Sequence, residues 1–168
     1  MMHLLTAADR TVAFICKWGM IAALLGLSAL LLFGVAVRFL PFLTASGYDE
    51  IVELLVVWLT MLGALALWRE GGLYRVVALE NMAPPGGRRA LALMHHALML
   101  AVALVLVWKG GEFVRDSGET LPFLGIDKAF WYLALPVPGA AMAAYSVAGL
   151  VRTWRGRDTL AHGGSIVA

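Results

Sequence analysis

Residues 18–37 read WGMIAALLGLSALLLFGVAV, twenty consecutive positions without a charge, closed by Arg38. A helix needs about 20 mostly apolar residues to cross about 30 Å of hydrocarbon. This stretch is that long. Arg10 and Lys17 precede it, as basic residues precede a signal peptide. Signal segments, however, have apolar cores of about 7–15 residues and end at a small-residue cleavage site. Here the run passes directly into Val37-Arg38-Phe39, so it reads as a retained transmembrane helix.

Cutting the rest of the chain at its charges gives three further stretches: Leu54 to Trp68, Ala90 to Trp108 and Ala129 to Val151. The second stretch reaches spanning length if its helix starts near Glu50. Composition agrees. Of 168 residues, 61% are hydrophobic and 14% charged, with 18 glycines besides, and mean hydropathy is +0.83. A soluble domain is about 45–50% apolar with glycine included and about 25% charged. A chain this short leaves too much surface exposed to hide such an excess in a globule. This excludes a soluble enzyme, a disordered tail and a disulfide-built secreted domain. The single Cys16 allows no internal disulfide and no CxxC redox pair. A net charge of +2 gives no argument for nucleic acid.

The expected fold is therefore an all-α integral membrane protein. It has one domain over residues 1–155, with spans at about 14–38, 50–69, 90–109 and 129–152, and a tail over 156–168. Residues 73–82 are mostly apolar and end at Pro84-Pro85-Gly86-Gly87, which suits a short interfacial helix between spans two and three. Nine Lys and Arg residues fall in the two ends and the middle connector, and four on the other side, where seven acids gather. The positive-inside rule then places both termini in the cytoplasm.

Residues able to carry chemistry lie at the span ends. Arg38 ends span one, and Asp49, Glu50 and Glu53 begin span two. A cation at a helix C-terminus and acids at an N-terminus both complement the helix dipole. The expected arrangement is a clasp from Arg38 to Asp49 or Glu50. The adjacent His95 and His96 point about 100° apart on a helix and cannot clamp one haem between them. Pro136 and Pro138 should kink span four, where Gly139 and a run of small residues follow. Ala22-x3-Gly26 and Ala97-x3-Ala101 have the spacing of close helix packing. There is no phosphate-binding GxxxxGK[ST] loop. No charged residue lies at the centre of a span, where coupled transporters and pumps usually place one. No cofactor and no metal site is indicated.

Arg38, then Tyr48-Asp49-Glu50, Trp58, Gly63-Ala64 and Arg69 form a specific order. So do Gly118, Leu121, Gly125-Ile126, Trp131-Tyr132, Pro136-Val137 and Gly139. Over roughly residues 10–155 the chain resembles the small membrane subunit (Q-type, DctQ-like) of tripartite ATP-independent periplasmic (TRAP) transporters. It departs from the family at Leu73 and Val77, where a histidine and an acid often stand. The resemblance implies a subunit of a secondary importer of organic anions such as carboxylates. Such a subunit braces a large (M-type) membrane subunit and helps dock a periplasmic solute-binding protein. It implies the bacterial inner membrane and no enzymatic activity, with Arg38, Asp49, Glu50, Glu53, Trp58, Gly63, Arg69, Pro136 and Gly139 as structural or interface candidates. Two rival readings are an autonomous homodimeric proton-coupled exporter using Glu53 and a membrane anchor for a redox complex. Glu53 sits too near the membrane surface for the first, and the histidines are unsuited to the second.

Overall fold

The computed structural model describes residues 2–39, 47–70 and 85–155. The expected interfacial helix and the 156–168 tail lie outside these residues. Helix α1 spans Met2–Phe39, α2 spans Tyr48–Glu70 and α3 spans Pro85–Arg115. A short α4, Ala129–Tyr132, leads into α5, Pro136–Trp154. Four helical segments are long and apolar enough to cross a membrane: Asp9–Phe39, Tyr48–Glu70, Arg89–Arg115 and Ala129–Trp154.

Local chemistry explains the boundaries. Arg38 stands in the last turn of α1, where a cation complements the negative end of the helix. Asp49 and Glu50 occupy the first turn of α2 and Arg69 its last, each matching the end charge of the helix. Pro85 begins α3, where its missing N–H costs nothing. The α1 and α3 helices outrun the spans expected from the charges. Arg10, Lys17, Lys109 and Arg115 are all helical, since long basic side chains can lie along an apolar surface with their heads in water.

The helices form an open layer in the order α1, α2, α5, α3. The α1 helix packs along α2, α3 packs along α5, and a lighter α2–α5 contact joins the two hairpins. No comparable contact joins α1 to α3 among the described residues. Lipid tails are as apolar as leucine, so close fit rather than exclusion from water must hold such an array. On α1 the fitted row is Cys16, Gly19, Ala23, Gly26 and Leu27, with Gly34 further on. A Cβ at Gly19 would lie 2.7 Å from Leu62, one at Gly26 3.2 Å from Leu55, and one at Gly34 3.1 Å from the Tyr48 ring. The α3 row is Met99, Ala103, Leu106 and Gly110, against Met142, Gly139 and Pro136. Of the two small-residue pairs in the sequence, Gly26 packs on α2, whereas Ala22, Ala97 and Ala101 are exposed.

Candidate functional site

The polar groups cluster at three levels, and each links α2, with α1 beside it, to the chain around α4 and α5. At the level of the α1–α2 connector, the chain after α3 folds into a tight loop. Leu121 N–H donates to Ile126 O at 2.9 Å, Gly125 N–H to Leu121 O at 3.0 Å and Lys128 N–H to Glu119 O at 3.0 Å. Gly125 turns the chain with φ +63°, a conformation that side chains resist. Asp127 Oδ1 accepts from Ala129 N–H at 2.8 Å, a side-chain turn just before α4. Lys128 pairs with Glu119 at 3.3 Å. That hydrogen bond holds the Lys128 ammonium pKa above its ordinary value.

Glu50 ties this loop to α2. Its Oε1 accepts from Phe123 N–H at 3.2 Å and its Oε2 from Leu124 N–H at 3.1 Å. Gly47, with φ +86°, has room for the Phe123 side chain only because it lacks a Cβ. The expected Arg38 clasp takes another form. Among the described residues no ion pair joins Arg38 to Asp49 or Glu50. Tyr48 stands against α1 at Gly34, Arg38 is exposed beside a cavity that both residues line, and Glu50 is engaged by the loop amides. Asp49 and Glu53 are exposed.

The middle level repairs the break in the last span. Pro136 has no N–H, so Tyr132 O takes the Leu135 N–H instead, at 3.0 Å. Ala134 N–H turns to Trp131 O at 3.3 Å, which leaves Phe130 O without its usual helical donor. Trp58 Nε1–H reaches across from α2 and donates to that oxygen at 3.3 Å. A freed carbonyl within lipid must find such a neighbour. Trp58 therefore has a definite task in joining α2 to the last span. Gly63 is less constrained, since a Cβ there would lie 3.7 Å from Met20.

The third level lies at the opposite ends of α1, α2 and α5. Arg69 grips Asp9 through two parallel bonds, Nε to Oδ1 at 2.6 Å and Nη2 to Oδ2 at 2.7 Å. Tyr145 Oη–H donates to the same Oδ1 at 2.9 Å. Beside it, Trp68 Nε1–H donates to the buried Ser146 Oγ at 3.0 Å. Asp9 and Tyr145 were not singled out in the sequence. Asp9 did carry a signal, being the only acid before Asp49 and standing at the basic end of the molecule. His95 and His96 meet edge-on with ring centroids 5.5 Å apart. No group of three or more potential metal ligands comes together among the described residues.

Glu50 and Trp68 are eighteen positions apart in α2, about five turns at 3.6 residues each, so they share one line along the helix. Trp58 and Arg69 lie about 80–100° round the helix from that line, and together the four residues hold the loop, α4, α5 and α1. This is a structural seam that welds two hairpins into a layer.

Comparison with known proteins places the chain. A Haemophilus influenzae protein named as a TRAP transporter small permease protein is 27% identical over 107 residues. That alignment takes in 62% of this chain and 66% of the relative, so the chain spans just under two thirds of its length. The family model described as "Tripartite ATP-independent periplasmic transporters, DctQ component" matches residues 27–156, which hold the welded seam from Glu50 to Ser146. A four-span helical layer matched over most of its length by that model belongs to the DctQ family, a family of transporter components rather than of enzymes.

Proposed function

We propose that this chain is the small permease subunit of a TRAP-type secondary importer of organic anions, carboxylates first among them. In this reading it braces a large membrane subunit and helps a periplasmic binding protein to dock. The observation that carries the proposal is the open layer. Helix α1 turns Phe14, Leu25, Leu32 and Phe39 outward, at 63–79% exposure, and α3 likewise exposes Leu98, Val105 and Trp108. Among the described residues, four helices in one layer enclose no central path, and the span centres are free of charge. Such an element suits support of a transporting partner better than transport by itself.

The test is flux. Proteoliposomes holding this chain alone should show no solute uptake. Uptake should require the large subunit and a loaded binding protein, and omission of this chain should abolish it. Robust substrate-specific transport by this chain alone would refute the reading.

The same proposal includes the bacterial inner membrane with both termini cytoplasmic, supported by the nine-to-four division of Lys and Arg. Reporter fusions at Gly118 and at Ala168 should then give opposite signals. A periplasmic reading at Ala168 overturns the orientation. The loop around Phe123, bound to Glu50, would face the periplasm, where a binding protein arrives.

A further inference from the structure

Among the described residues, helices α2 and α3 flank α5 without a comparable contact of their own. The space between them is a trough floored by α5. At one end it widens into a cavity of about 160 Å³, lined by Arg69, His95, His96, Tyr145, Ser146 and Arg152 among others. That is smaller than the roughly 300–1,000 Å³ of sites enclosing drug-sized ligands. Its floor depends on Gly149. A Cβ there would lie 2.5 Å from His96 Cε1, so the imidazole rests directly on the α5 backbone.

The charges in the cavity do not cancel. Asp9 is bonded to Arg69 and also feels the charge of Arg152, so one carboxylate faces two guanidinium groups; among the described residues no acid forms an ion pair with Arg152, which is exposed at the mouth. One cation is left over, with two imidazoles beside it. Arg152 stands two residues before Trp154, which ends α5 with 70% exposure and marks the interfacial level of the membrane. Ser146 lies eight residues before Trp154, about 12 Å deeper at 1.5 Å per residue. The cavity thus runs from a cationic mouth at headgroup level to an apolar floor that includes the buried Met99. An inorganic anion would use only the mouth. A molecule with one negative charge and a hydrocarbon tail fits both ends.

We propose that this cavity binds the phosphate of an anionic phospholipid, with the adjoining acyl chain lying in the trough over α5. Basic pockets between transmembrane helices recognise acidic headgroups on this principle. The inference goes beyond the proposed transport role and stands independently of it.

The test uses the full chain purified in uncharged detergent, with lipid binding followed by native mass spectrometry. Dioleoyl phosphatidylglycerol should bind more tightly than dioleoyl phosphatidylcholine, and millimolar inorganic phosphate should not displace it. Arg152→Gln should weaken phosphatidylglycerol binding roughly fivefold, the effect of one basic residue at a lipid surface. Arg155→Gln, which removes an equal charge outside the cavity lining, should leave binding unchanged. Ala148→Phe, which fills the cavity without altering charge, should weaken binding as Arg152→Gln does. Equal binding of the two lipids, equal losses in the two arginine variants, or full binding by Ala148→Phe would each overturn the proposal. Displacement by inorganic phosphate would assign the site to a soluble anion and overturn it equally.

Discussion

Alanine at Gly110 should destabilise the protein, while alanine at Gly111, the next residue, should leave it as stable or more so. At Gly110 the added Cβ would lie 2.7 Å from Pro136 Cδ, 2.8 Å from Leu135 Cβ and 2.9 Å from Pro136 N. None of these atoms is the end of a flexible side chain. The clash can be relieved only by moving α3 away from the break before α5. Overpacking of this kind costs about 1–3 kcal/mol. At Gly111 nothing lies within 4 Å of the same added atom. Alanine there gains up to about 1 kcal/mol of helix propensity. Thermal unfolding of the two variants in detergent measures the contrast. Equal midpoints would show that α3 and α5 do not approach as closely as their geometry states.

The same contact shows what could be read from the sequence. The four spans are legible because charge is so costly in hydrocarbon that Arg38, Glu50, Arg69, Lys109 and Lys128 are driven to the ends. The break at Pro136 is legible from chemistry alone, since proline lacks the donor. Gly110 is not. Its neighbour across the gap belongs to a helix some twenty-five residues away in sequence, and which glycine faces which partner depends on the order of helices in the layer. The apolar pattern carries no trace of that order, because in lipid the outward faces are as hydrophobic as the packed ones. For that reason Ala97 and Ala101 have the spacing of a packed face and yet are exposed, while Met99 and Ala103 are buried.

The seam was half legible for the same reason. Glu50, Trp58 and Arg69 draw notice as polar or amphipathic groups at defined places in α2. Their partners are two backbone amides, a backbone carbonyl and a lone aspartate. Backbone partners have no sequence signature, and Glu50 finds amides only because the loop after α3 folds back onto α2. The Arg38 expectation failed on a competing contact. Complementarity with the helix ends favours both Arg38 and Glu50 where they stand, but it does not oblige them to meet.

Removing Asp9 should then have the largest effect of any single polar change at the other end of the seam. Asp9→Ala deletes a bidentate pair to Arg69 and the acceptor of the Tyr145 hydroxyl, and so unfastens α1 from α2 and α5 together. A hydrogen bond to a charged group contributes about 1.5–3 kcal/mol. An exposed ion pair contributes only about 0–1 kcal/mol. The side chains here are 29% and 41% exposed, which places the pair between these cases. The expected loss is about 1–2 kcal/mol, seen as a lower unfolding midpoint of the purified chain. Arg69→Lys keeps the charge but cannot reproduce the two parallel bonds, so it should lose part, not all, of what Asp9→Ala loses. A double-mutant cycle of Asp9→Ala with Arg69→Ala isolates the pair. Coupling above about 1 kcal/mol would identify a fastening between the hairpins, whereas coupling near zero would reduce the contact to a surface ion pair and leave Trp58 and Trp68 to hold the layer.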